Sequence, residues 1–127
     1  MDNRDFIQTE KAPAAIGTYS QAVRVGQLLF ISGQIPLQPQ SMELVQGGLN
    51  AQARRVFDNL EAIAQAAGSE LNAAVKINIS MTDLADFASV NSIMAEYFSL
   101  PYPARACVQV AALPKGALIE VEAVLAL

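Results

Sequence analysis

From Asn50 to Ala67 the apolar residues fall three and four apart, and from Val75 to Met81 they fall two apart. That change of period commits this stretch to a helix followed by a strand, and the whole chain to a mixed architecture. Ala53, Val56, Phe57, Leu60, Ile63, Ala64 and Ala67 form one helical stripe, with Arg54, Arg55, Asp58 and Glu61 on the remaining surface. Asn50 is the expected cap at the start of this helix and Gly68 at its end. In "VKINISM", Val75, Ile77, Ile79 and Met81 point one way, and Lys76, Asn78 and Ser80 the other.

The flanking segments extend the pattern. "DFIQT", from Asp5 to Thr9, is a short first strand, and "KAPAAIGTY" is a loop held by Pro13 and Gly17. "SQAVRVGQLLFISG" reads as two strands joined at Gly26-Gln27. "QIPLQPQSMELVQGG" is loop with a short extended piece. Thr82 or Asp83 caps a second helix whose buried face is Leu84, Phe87, Val90, Met94 and Tyr97 or Phe98, and Pro101 and Pro103 stop it. Strands at about 104–110 and 118–126 follow, linked by "AALPKGA". The order β-β-β-α-β-α-β-β is that of one α+β domain over residues 1–127, a single sheet with both helices on one face.

Such a sheet has a second face to cover. Hydrophobic residues make up 53% of the chain and charged ones 16%, against about 25% charged in an average protein. The strands lining the open face are too apolar for water, so a further copy of the chain is the natural cover. A net charge of −4 without a basic run offers nothing to a phosphate backbone, and nucleic acid is not the expected partner. The opening "MDNRDFIQTEKAP" lacks the apolar core of a signal peptide. Later apolar runs are broken by Lys76, Arg105, Lys115, Glu120 or Glu122, so no membrane span is expected and a cytoplasmic location is. One cysteine and no histidine exclude an internal disulfide, a histidine-based nucleophile pair and a structural zinc site.

Alternation assigns faces to the remaining ionisable groups. Ala104, Ala106, Val108 and Val110 are predicted to meet the helices, leaving Arg105, Cys107 and Gln109 on the opposite side. In the last strand Ile119, Val121, Ala123 and Leu125 suit the core, and Leu118, Glu120, Glu122 and Val124 point away. Arg105, Cys107, Glu120 and Glu122 are thus expected on one open face. A guanidinium there suits a small carboxylate through its two-pronged fork, and a neighbouring carboxylate can polarise a water. Arg105 paired with Glu120 or Glu122 as a rim ion pair fits the same spacing and is the commoner arrangement. Cys107 reads first as a half-buried packing residue, having no base to activate it. Tyr19 is either packing or a hydroxyl aimed at a ligand. Ser32-Gly33 is either a tight turn or a place where backbone approaches a ligand closely. Asn91, a mediocre helix former in mid-helix, points to a polar contact beyond the helix. "KGALIE" has no glycine spacing of a phosphate loop.

The segments "APAAIGTYSQAV", "FISGQIP", "AQARRVFDNLEAIAQAAG", "FASVNSIMAEYF" and "YPARACVQVAALPKGALIEVEAV" resemble, in this order, the RidA (YjgF) family of enamine/imine deaminases. The likeness runs from about Thr9 to Val124, and "PARACV" with "LPKGALIEVEA" is its most specific part. The resemblance implies a chorismate-mutase-like α+β fold assembled as a homotrimer, with sites between subunits and no cofactor. It implies hydrolysis of 2-imino acids such as 2-iminopropanoate and 2-iminobutanoate to 2-keto acids and ammonia, a form of metabolite damage control. Arg105 matches the arginine that clamps the substrate carboxylate and Glu120 the glutamate associated with the attacking water. Tyr19, Ser32, Gly33, Asn91 and Cys107 match the other pocket positions. Two departures stand out: Thr18 replaces a usual proline, and "QSMEL" lacks a usual glycine. A non-catalytic carboxylate-binding or regulatory trimer, and an RNA-directed ribonuclease or translation inhibitor, are the alternative functions.

Overall fold

In the computed structural model, which describes residues 2–127, the chain forms six strands and two α-helices. They are β1 (Arg4–Ile7), β2 (Ala22–Val25), β3 (Leu28–Gln34), α1 (Gly48–Ala66), β4 (Ala74–Met81), α2 (Phe87–Met94), β5 (Ala104–Gln109) and β6 (Ile119–Ala126). All eight elements anticipated from periodicity exist, in the anticipated order. They make one sheet of strand order β1-β2-β3-β6-β4-β5, antiparallel throughout except for the parallel pair β4–β5. A parallel pair needs a crossover, and α2 supplies it between β4 and β5.

Packing of α1 against β3, β6 and α2 buries its apolar stripe from Ala53 through Val56, Phe57, Leu60 and Ile63 to Ala64, and leaves Ala67, at the cap, partly buried. From the sheet, Leu29, Ile31, Ile77, Ile79, Met81, Ile119, Val121 and Leu125 meet it in the core. Each such side chain contributes about 1.5–3 kcal/mol when fully buried. Phe57 anchors the helix pair, its ring 5.1 Å from that of Tyr97 and 6.1 Å from that of Phe98. The other sheet face is uncovered. There Phe6, Val23, Phe30 and Val124 stand opposite one another across β1, β2, β3 and β6, with Phe6 54% and Phe30 45% exposed. No helix among the described residues is long and apolar enough to cross a membrane.

Helix ends and strand ends correct several local expectations. Gly47, in the left-handed region, is the residue before α1, so Asn50 lies inside the first turn and caps nothing. At the other end Gly68 (φ 79°) acts as anticipated: its N–H donates to Gln65 C=O, and that of Ser69 to Ala64 C=O, the paired bonds of a Schellman stop. Asp83 does cap, its side chain accepting from the Ala85 N–H, but it opens a 3₁₀ turn (Leu84–Asp86) that precedes α2. That turn rotates Leu84 outward, where it is exposed rather than buried. Val75 is exposed too, because a register shift between Ala74 and Lys76 interrupts the alternation that buries Ile77, Ile79 and Met81.

Candidate functional site

The orientation of β5 decides where the chemistry sits. Its residues pair as Ile77↔Arg105, Ile79↔Cys107 and Met81↔Gln109, and the three β4 partners are buried under the helices. Paired neighbours in a sheet point to the same side. Arg105, Cys107 and Gln109 therefore face the helices, and Ala104, Ala106 and Val108 lie exposed on the open face, the reverse of the expectation from alternation. In β6 the expectation holds: Ile119, Val121, Ala123 and Leu125 are buried, leaving Glu120 and Glu122 on the open side. Arg105 and Cys107 consequently lie on the opposite side of the sheet from Glu120 and Glu122. The rim ion pair of Arg105 with either glutamate does not form; among the described residues the ion pairs are Arg4–Asp2 and Arg54–Glu96.

On the helix side, α2 supports Arg105. Its Nη1 donates to Asn91 Oδ1 at 2.6 Å and lies 3.7 Å from Met94 Sδ, while its Cζ sits 4.8 Å from the centre of the Phe87 ring. Asn91 thus has the contact beyond its own helix that its position suggested. The guanidinium lines a cavity of about 350 Å³ with Asn91, Met94, Ala95, Phe98, Tyr102 and Pro103. Cys107 is half-buried and packed against the core, and burial pushes its thiol up more than the Arg105 charge pulls it down. It is a packing group, as read from the sequence. Gln109 closes the row by accepting from the Leu84 N–H at 2.9 Å, which ties β5 to the start of the α2 region.

A second cavity, about 550 Å³, opens around Glu120 and includes Tyr19, Ser32, Gly33, Lys115 and Glu122. Gly33 permits a close approach: a Cβ there would stand 3.0 Å from Glu120 Cδ and 3.2 Å from Oε1, so the carboxyl would have to give way by a few tenths of an ångström. The carboxyl of Glu120 therefore rests on bare backbone. Ser32 ties β3 to the Tyr19 loop, its Oγ donating to Ser20 C=O at 2.5 Å and its N–H to Gln21 C=O at 2.9 Å. Tyr19 is exposed, and its hydroxyl accepts from the Ile16 N–H at 3.4 Å. Glu122 accepts from Asn78 Nδ2 at 3.0 Å. Burial, and then the neighbouring Glu122 charge, raise the Glu120 carboxyl above the usual carboxylate range. A carboxylate so raised is a stronger base than an ordinary surface glutamate.

The seven site residues named from the sequence thus fall into two groups, Asn91, Arg105 and Cys107 on one side, and Tyr19, Ser32, Gly33 and Glu120 on the other. Neither cavity includes both Arg105 and Glu120. Phe87 and Lys115 were not singled out. Phe87 read as a core residue of the second helix, and only its spacing of four from Asn91 marks it as sharing that residue's face. Lys115 at the second cavity adopts φ 58° and donates from Nζ to Met42 C=O at 3.1 Å.

The family model described as endoribonuclease L-PSP matches residues 9–127. A RutC family protein of Sinorhizobium fredii, y4sK, is 51% identical over 121 residues, covering 95% of this chain and 96% of its own. The human protein named 2-iminobutanoate/2-iminopropanoate deaminase is 49% identical over 121 residues, 95% of this chain and 88% of its own. The crystal structure of RidA from an Antarctic Psychrobacter species superposes with a TM-score of 0.93 at 56% identity, covering 97% of this chain and 99% of that one.

Proposed function

Given that the chain belongs to the RidA (YjgF) family, the one described by the endoribonuclease L-PSP model, we propose that it hydrolyses small 2-imino acids to 2-keto acids and ammonia. The observation that carries the reading is the separation of its two half-sites. Among the described residues the guanidinium pairs with no carboxylate on the helix side of the edge strand β5, and the raised carboxyl of Glu120 stands on the open face of β6. A head-to-tail ring of three copies, in the chorismate-mutase-like arrangement, brings the β5 edge of one protomer to the open face of the next. Arg105, Asn91 and Cys107 then come from one chain and Tyr19, Ser32, Gly33 and Glu120 from its neighbour.

In that shared site Arg105 grips the substrate carboxylate and fixes the C=N carbon. Glu120 takes a proton from a water whose oxygen bonds to that carbon, and passes that proton to the imine nitrogen as the π electrons move onto it. In the resulting carbinolamine Glu120 takes the hydroxyl proton and delivers it to the nitrogen as the C–N bond breaks, giving the keto acid, ammonia and the ionised glutamate again. Orientation and proton handling suffice because an imine is already electrophilic, so the reading calls for no cofactor and no covalent nucleophile.

The test generates 2-iminobutanoate in situ with a threonine dehydratase and follows 2-ketobutyrate release. Acceleration by the wild type, and loss of most of it in Arg105→Ala, are the expected outcomes. Binding of 2-ketobutyrate without any acceleration would instead identify a carboxylate-binding or regulatory trimer. The net charge of −4 and the lack of histidine weigh against an RNA-directed activity.

A further inference from the structure

We infer that Phe87 is a positioning residue that holds the Arg105 guanidinium open for a carboxylate; this rests on the proposed reading of that half-site. Phe87 and Asn91 are one turn apart on α2 and together cradle a single group. The ring lies under Cζ at 4.8 Å, and the amide oxygen takes Nη1 at 2.6 Å. Among the described residues, Arg105 Nε and Nη2 donate to no protein acceptor. Those two N–H groups form one edge of the guanidinium fork, the edge that binds a carboxylate with two parallel bonds.

The choice of partners explains why that edge stays free. An aromatic face attracts a cation without occupying an N–H donor and without cancelling its charge. An aspartate or glutamate in its place would do both and would compete with the substrate. Asn91 likewise accepts one bond while remaining neutral. Phe87 is half-buried and packed against the core, so its ring is held and can hold. A merely apolar residue at this position would fill the space yet leave the guanidinium free to swing about Nη1.

The experiment compares Phe87→Leu with Phe87→Tyr in the assembled protein, measuring 2-ketobutyrate affinity by calorimetry and turnover of 2-iminobutanoate generated in situ. Phe87→Leu is expected to weaken keto-acid binding and raise KM by roughly three- to tenfold, with a smaller change in kcat. Phe87→Tyr, which keeps the ring, is expected to stay within about twofold of wild type. Wild-type affinity in Phe87→Leu, or equal losses in the two variants, would overturn the inference and leave Phe87 a packing residue. Thermal unfolding confirms that each variant is folded, and Phe87→Met replaces Phe87→Leu should the latter not fold. Keto-acid binding by the wild type without turnover would strike the deaminase reading alone, and absence of binding would overturn both.

Discussion

Glu120 illustrates how a residue serves the proposed chemistry at the expense of the fold. Its carboxyl is partly desolvated over Gly33 and faces Glu122, and both effects raise its titration above the ordinary glutamate value. Between the ordinary value and the raised one the folded chain holds more protons than the unfolded chain, so stability falls as pH rises through that window. Below the window the penalty is absent; above it the penalty is complete. Glu120→Gln cannot ionise and escapes it. By scanning calorimetry the variant is expected to melt above wild type at pH 7 and to converge with it near pH 4, about the ordinary glutamate value. Its turnover is expected to fall by roughly 10²–10⁴-fold, the usual worth of a general base. A variant less stable than wild type at pH 7 would mean that the ionised carboxyl stabilises the fold. That Glu120 lies on the open face of β6 was legible in the alternation of that strand. The raised titration of Glu120 was not, because its larger cause is burial, which depends on how β6 packs beside β3 and not on the local sequence.

At the scale of elements, legibility followed the strength of the hydrophobic signal. The stripe of α1 and the alternation of β6 have one buried and one exposed side, so period and burial agree. Strand β5 is at the edge of the sheet, and most of its residues are exposed in the single chain whichever way they point. Reading its small apolar residues as the core side was therefore the wrong choice of two. The polar side chains turn toward α2 because they have work there: Arg105 lies on Phe87 and Asn91, and Gln109 receives the Leu84 N–H. Ends of elements depend on single backbone conformations, which makes them easy to test. At Gly68 (φ 79°) no heavy atom lies within 4 Å of an added Cβ, so a substitution there meets backbone strain and no clash. Gly68→Ala is expected to cost about 1 kcal/mol, seen as a fall of a few degrees in melting temperature. Turnover should be unchanged, since Gly68 borders neither cavity. An unchanged melting temperature would show that the helix stop does not depend on glycine.

At the scale of the whole molecule, the reversed β5 strengthens the case for assembly that composition first raised. Val108, 52% exposed, joins Phe6, Phe30 and Val124 on a face that no element of the chain covers. An apolar sheet face of this kind is costly in water and calls for a partner. In the proposed shared site that partner brings its Glu120 face to the β5 edge that carries Arg105. A two-fold contact can join Arg105 of each copy to Glu120 of the other in a reciprocal pair, whereas the proposed ring of three joins them head to tail, one shared site per contact. Light scattering separates the two: with 13.5 kDa per chain, the proposed ring of three is expected at about 40 kDa, and a mass of about 27 kDa would identify a dimer instead. Subunit mixing tests the division of labour directly. Arg105→Ala and Glu120→Gln are each expected to be nearly inactive alone. When they are co-assembled in equal amounts, about one site in four joins an intact Arg105 to an intact Glu120, so about a quarter of wild-type turnover should return. If both residues served one site from the same chain, every site in the mixture would carry a lesion and no activity would return. Recovery therefore depends on the sheet separating the two groups within each chain, and its absence would refute the shared site even in a protein that forms trimers.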